Sequence, residues 1–198
     1  MTTALLLSGG MDSTCIAYWK RPSLAITINY GQKAAAGEMR ASTAICEALD
    51  IQHVVVEANI SALGSGDMVG RAPSVSAPAT EWWPYRNQFL ITTAAMKCHA
   101  AGVSELMFGS LKSDGFHADG APPFFMAINH LLELQEGTVA VTTPAIHLDA
   151  HELVQVSRTP IEILAWSHSC HVDDIACGFC RGCRKHFETM SIAFGHSY

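Results

Sequence analysis

With 198 residues, 49% of them hydrophobic and 15% charged, the chain has the size and apolar content of one compact domain that needs no staples. A formal net charge of −6, with 12 Lys and Arg scattered in runs of no more than two, argues against a constitutive nucleic-acid binder while leaving room for a local basic pocket. No apolar run approaches the ~20 residues of a membrane span, and no basic region precedes a signal-type segment, so a cytoplasmic location without membrane attachment is the expectation.

The stretch from Leu5 to Thr14 predicts a strand, a tight turn at Ser8-Gly9-Gly10, and a helix opening at Asp12-Ser13 and continuing through Trp19. Successive glycines let a backbone approach a ligand closely, and a helix N-terminus aims unpaired N–H groups and positive dipole into the same space. A phosphate or pyrophosphate is the natural occupant. A bare Gly-Gly is more often only a turn. Here Ser8, Asp12 and Ser13 surround it, and Ser-Gly-Gly-x-Asp-Ser resembles the pyrophosphate loop of the ATP pyrophosphatases. It does not match the Gly-x-x-x-x-Gly-Lys-Ser/Thr loop of kinases and GTPases.

Leu24 to Ile28 reads as the second strand, closing at Asn29-Tyr30-Gly31-Gln32. A helix from Ala34 to Leu49 follows, then Val54-Val55-Val56 as a third strand of buried type. This alternation predicts an α/β fold with a doubly wound, mainly parallel, Rossmann-like sheet. Ligands in such sheets sit at the carboxyl ends of the strands, where Ser8 to Ser13 and Asn29 to Gln32 fall.

Residues 58–85 form a long Gly-, Ser-, Ala- and Pro-rich connection, read either as a lid over a nucleotide or as a passive excursion. It leads into a helix from Gln88 to Ala101, with Asn87 placed to cap and Arg86 placed to reach a phosphate or carboxylate. Trp82 and Trp83 read as packing rather than as a stacking platform. Glu105 to Phe108 is the fourth strand. The polar segment 111–120 after it should line the cleft, with Asp114 and Asp119 able to accept from the amine and ring N–H of a guanine-like base or simply to stand as solvated turn residues. A helix from Pro122 to Leu134, a strand at Val139 to Val141, a helix capped by Asp149 and Glu152, and another opened by Pro160 complete the pattern.

Seven cysteines are an odd total, and four crowd into Cys170-x6-Cys177-x2-Cys180-x2-Cys183. In a reducing compartment this spacing points to metal, with a closed four-thiolate zinc shell favoured and an iron–sulfur cluster as the competitor. A closed shell leaves no vacancy for substrate, so its task is to fix a C-terminal helical segment beside the cleft. His168, His171 and His186 read as surface residues, and Cys15, Cys46 and Cys98 as small buried hydrophobes.

Ser8-Gly9-Gly10-Met11-Asp12-Ser13, Tyr30-Gly31-Gln32, Pro84-x-Arg86-Asn87, Asn129-His130, Thr143-Pro144 and the four cysteines, in this order over essentially the whole chain, resemble the 7-cyano-7-deazaguanine synthase family. The resemblance implies a zinc-containing, cytoplasmic, dimeric enzyme with an adenine-nucleotide alpha hydrolase-like fold. It would convert 7-carboxy-7-deazaguanine to the nitrile with ammonia and ATP, through an adenylated acid, an amide and a second activation.

Under that resemblance Leu6, Leu7, Ser8, Gly9, Gly10, Met11, Asp12, Ser13, Thr14 and Tyr30 bind ATP, with Mg²⁺ on the departing pyrophosphate. Asp12, Ser13 and Arg86 are catalytic, Arg86, Asn87 and Asp114 hold the substrate, and Cys170, Cys177, Cys180 and Cys183 hold the metal. The departures fall on the substrate side: Ala34 where the family carries His, Tyr85 where it carries Gly, Ala150 where it carries Lys, and Ala118 to Pro123 in place of its Tyr-Pro-Asp-Cys-Arg. They motivate a second reading, a relative that joins a deazaguanine-type acid to another amine, on a protein or peptide partner. A third is an ATP-binding scaffold without catalysis.

Overall fold

The computed structural model describes residues 2–195. Five strands, β1 (Thr3–Leu6), β2 (Leu24–Asn29), β3 (Gln52–Glu57), β4 (Glu105–Met107) and β5 (Ala140–Thr142), form one sheet in the order β3-β2-β1-β4-β5 with every pairing parallel. Among the described residues seven α-helices connect and follow them: α1 (Met11–Lys20), α2 (Ala35–Leu49), α3 (Arg86–Ala100), α4 (Pro122–Glu133), α5 (Ala150–Ser157), α6 (Ile161–Leu164) and α7 (Arg181–Phe194). No helix among the described residues is long and apolar enough to cross a membrane.

The period of two along β1 divides the core. Ala4 and Leu6 face a layer shared with α3 and α4, whereas Leu5 and Leu7 face α1, α2, α5 and α7. Leu5, Leu7 and Ile26 are fully buried, each side chain contributing ~1.5–3 kcal/mol through removal from water. β3 departs from the buried-strand expectation: it is the sheet edge, and Val55 is 42% exposed. Two sides of a fully covered strand need neighbours, and β3 has a pairing partner only in β2.

The chain runs outward from β1 to β3 and then crosses back to place β4 on the other side of β1. That reversal opens a crevice between the carboxyl ends of β1 and β4, bounded by Ser8 to Ser13 on one side and Phe108 to Ser110 on the other.

The expected capping box opens α5: the Glu152 carboxylate accepts from Asp149 N at 2.8 Å. α3 starts at Arg86, earlier than expected, and its cap position is Tyr85 at φ 59°, in the left-handed region. Asn87 is therefore inside the helix rather than its cap, and its side-chain amide donates to the Asp119 carbonyl at 3.1 Å. Segment 58–85 is tethered to the body: Lys33 N donates to Met68 O at 2.8 Å, and buried Trp83 meets the Tyr30 ring edge-on with centroids 5.1 Å apart. The Trp83 ring is thus packing, as its sequence position predicts.

Candidate functional site

At the crevice the structure holds a cleft of about 310 Å³. Its floor is the turn after β1. Gly9 adopts φ 76°, and a side chain there would place its Cβ 2.7 Å from the Glu38 carbonyl and 2.9 Å from Ala41 Cβ, so both conformation and space demand glycine. Gly10 is extended at φ −71°, which any residue adopts. The Gly10 carbonyl gathers Thr14 N at 3.0 Å, the Ser13 hydroxyl at 3.0 Å and the Thr14 hydroxyl at 2.8 Å. This closes the first turn of α1 and leaves its leading N–H groups without intrahelical acceptors at the cleft.

Of the residues expected to bind the nucleotide, Leu6, Leu7, Ser8, Gly10, Met11, Asp12, Ser13 and Tyr30 line the cleft. Gly9 and Thr14 do not: Gly9 backs onto α2, and Thr14 is fully buried with its hydroxyl turned to Gly10. Arg86, Asn87 and Asp114 line the opposite wall, as does Asp119. One Asp114 oxygen is engaged by Leu111 N at 2.9 Å, which holds the polar turn in shape.

Several groups in the walls escaped the sequence reading. Glu38, on α2, accepts from the Gln32 side-chain amide at 2.7 Å, while the Gln32 carbonyl oxygen receives Tyr30 N at 3.0 Å. Burial pushes the Glu38 carboxyl up to about 7, against the opposing pull of that Gln32 hydrogen bond and the Arg86 charge. Glu81, at the end of the long connection, pairs with Arg181 of α7 and stands 3.8 Å from His117 Nε2. Burial works to raise Glu81, but hydrogen bonds from its own backbone and from Arg181 outweigh it and hold the carboxyl below its ordinary value.

Lys185 of α7 donates to the Asp12 carboxylate at 2.7 Å. Burial works against its charge, but the Asp12 and Asp114 carboxylates hold the ammonium above its ordinary value. The i, i+4 spacing of Arg181 and Lys185 just after Cys180 was a readable signal of one basic helix face; nothing local in the sequence announced Glu38.

The histidines near the cysteines are not surface residues. His186 is buried, with Nδ1 3.0 Å from the Ser169 hydroxyl, and His171 lines the cleft, where burial and then the Arg86 charge push it down to about 4.

The sulfurs of Cys170, Cys177, Cys180 and Cys183 all lie within 4.8 Å of one another, with Cys177 to Cys183 and Cys170 to Cys180 both at 3.9 Å. A tetrahedral ion with sulfur at about 2.3 Å spaces its ligands about 3.8 Å apart, so the four sulfurs fit one ion such as zinc. An iron–sulfur cubane would spread them over separate irons. Backbone N–H groups of His171, Cys180 and Cys183 approach the sulfurs at 3.4 Å, as thiolate ligands require. Cys180 is also the N-cap of α7, and His168 N donates to the Gly9 carbonyl at 2.8 Å. The metal-type segment is thereby tied directly to the nucleotide-type turn.

The family model described as queuosine biosynthesis protein QueC matches residues 2–192. A 7-cyano-7-deazaguanine synthase of Koribacter versatilis is 32% identical over 90% of this chain and 84% of its own length. One of Desulforudis audaxviator is 32% identical over 93% and 94%, and one of Methanocaldococcus jannaschii 27% identical over 98% and 96%. A match spanning nearly every described element, from the turn after β1 to the helix begun by the cysteines, makes this chain a member of the QueC family of queuosine biosynthesis proteins.

Proposed function

We propose that this chain is an ATP-dependent carbon–nitrogen ligase that adenylates the carboxylate of 7-carboxy-7-deazaguanine and, with ammonia, forms 7-cyano-7-deazaguanine. The observation that carries the reading is the α1 N-terminus, with Ser8, Asp12 and Ser13, facing a polar wall of Arg86, Asn87 and Asp114 across one cleft. A nucleotide phosphate and an acid need that opposition to meet. The names of the relatives supply the identity of the nitrile, and the acid is the one that the sequence resemblance implies.

A carboxylate resists attack by ammonia because its leaving group is poor. Transfer of AMP to the carboxylate oxygen converts it to a mixed anhydride, releasing pyrophosphate; ammonia then displaces AMP to give the amide, and a second ATP activates the amide oxygen so that it leaves with AMP as the nitrile forms. The N–H groups of the α1 turn and the Ser8 and Ser13 hydroxyls are placed to hold the phosphate oxygens, where negative charge builds on the leaving group. Asp12 is the group suited to hold Mg²⁺, which would neutralise the departing pyrophosphate. Arg86 suits the acid's carboxylate, and the second oxygen of Asp114 suits an N–H edge of the base.

The sequence departures at Ala150 and 118–123 favour a second reading, in which the activated acid is joined to a different amine and the reaction stops at the amide. Incubating the purified protein with 7-carboxy-7-deazaguanine, ATP, Mg²⁺ and ammonium, followed by mass spectrometry, tests both. Nitrile and AMP are the expected products; AMP with no nitrile supports the amide reading. No AMP with this acid, under conditions where ATP binds, overturns both.

A further inference from the structure

Resting on the reading that the cleft takes ATP, we infer that Lys185 is the cation of the nucleotide turn: its ammonium, carried in from α7, engages the polyphosphate of the bound nucleotide. Residues 8–14 contain no Lys or Arg, and their one charged member, Asp12, has the wrong sign for a phosphate. Backbone N–H groups and a helix dipole amount to only about half a positive charge, far short of a triphosphate. A cation must come from elsewhere in the fold.

Three cationic side chains line the cleft among the described residues: Arg86, Arg181 and Lys185. Arg86 opens α3 beside Tyr30 and Glu38 on the far wall, and Arg181 is taken by Glu81. Lys185 alone meets the turn, 2.7 Å from Asp12 Oδ2. Its half-buried side chain lines the cleft, where a ligand can meet it. When ATP with Mg²⁺ enters, Asp12 turns to the metal and Lys185 to the phosphate oxygens, each exchanging its present partner for a stronger one.

The placement of Lys185 depends on its helix. Cys180 caps α7 by accepting from Cys183 N, and a side chain at Gly182 would put its Cβ 1.9 Å from the Ser169 carbonyl, so the first turn sits flush against the 168–171 strand of chain. One turn further on, Lys185 reaches the Asp12 carboxylate across 173 positions of sequence. The four-cysteine site thus acquires a defined product, the aim of one ammonium group.

The test is equilibrium binding of ATP with Mg²⁺, and of adenosine, to the metal-loaded full chain carrying Lys185→Met, Lys185→Gln or Lys185→Arg. The neutral variants should weaken ATP about tenfold or more while leaving adenosine unchanged, and Lys185→Arg should recover most of the loss. ATP bound by both neutral variants as by wild type, or ATP and adenosine lost in parallel, overturns the inference. Product analysis run alongside separates it from the substrate reading. Lys185-dependent ATP binding with no product from the acid retains this role and removes the acid; product with ATP binding indifferent to Lys185 does the reverse. A wild-type chain that binds no ATP sinks both.

Discussion

The floor of the cleft and its far wall are made in different ways. The floor is one contiguous stretch, Leu6 to Ser13, whose groups are set by a buried strand and the first turn of a helix. The far wall is assembled from Glu38 on α2, Glu81 on the long connection, Arg86 and Asn87 on α3, and Asp114 and His117 on the turn after β4. The floor joins backbone N–H groups to side chains of one short stretch, whereas the far wall consists of side chains from four separate parts of the chain. Side chains on connections can be exchanged without disturbing the sheet, and the departure at 118–123 accordingly brings Asp119 and Gly120 to the far wall while Ser8 to Ser13 keep their pattern.

The sharpest break of that contrast is Asp12→Asn. It removes a charge from the floor without changing volume, and we expect AMP formation from the acid to fall about a hundredfold or more with the thermal midpoint little changed. Retained turnover would take the floor out of the chemistry. Arg86→Lys probes the far wall instead: loss of the planar two-pronged contact should raise the KM for the acid about tenfold while the KM for ATP stays put. A rise in the ATP value alone would move Arg86 to the phosphate.

Glu38 gives the far wall a pH signature. Its carboxyl is raised to about 7 in the folded chain, with burial the main cause, whereas in the unfolded chain it ionises near the ordinary 4.5. Between those two values the folded state holds a proton that the unfolded state has released, so this contribution to stability is complete below pH 4.5 and is lost as pH rises through 7. Urea unfolding of wild type and Glu38→Gln at pH 5 and pH 8 should show a difference of roughly 2 kcal/mol in wild type that shrinks in the variant. Equal pH dependence in the two would place the ionised carboxylate in contact with water.

The smallest effect is expected at Tyr85, a non-glycine residue at φ 59° with a side chain 80% exposed. Tyr85→Gly relieves the left-handed backbone and should stabilise the chain by ~0.5–1 kcal/mol, read from denaturant midpoints. If the acid's KM falls at the same time, the tyrosine is also an obstruction at the far wall.

The elements of the sheet, the turn at Gly9, the Asp149 capping box and the four-cysteine site were all legible in the sequence, because each depends on residues within a few positions of one another. The errors were of another kind. Val54 to Val56 has the composition of a buried strand, yet strand order puts it at the edge. Asn87 has the chemistry of a cap, yet a left-handed Tyr85 starts the helix two residues sooner and turns Asn87 toward Asp119.

From the sequence alone came the alternation of strand and helix, a turn shaped for phosphate, and the ligands for a metal: all features in which hydrogen bonding or coordination is satisfied locally. Only the tertiary structure brought Lys185 to Asp12, Glu81 to Arg181 and His117, and Glu38, held by Gln32, to the cleft wall. The first two gatherings span 173 and 100 positions, and what joins such distant groups is the crossover of the sheet and the seating of α7 on the core, which no short pattern of residues encodes.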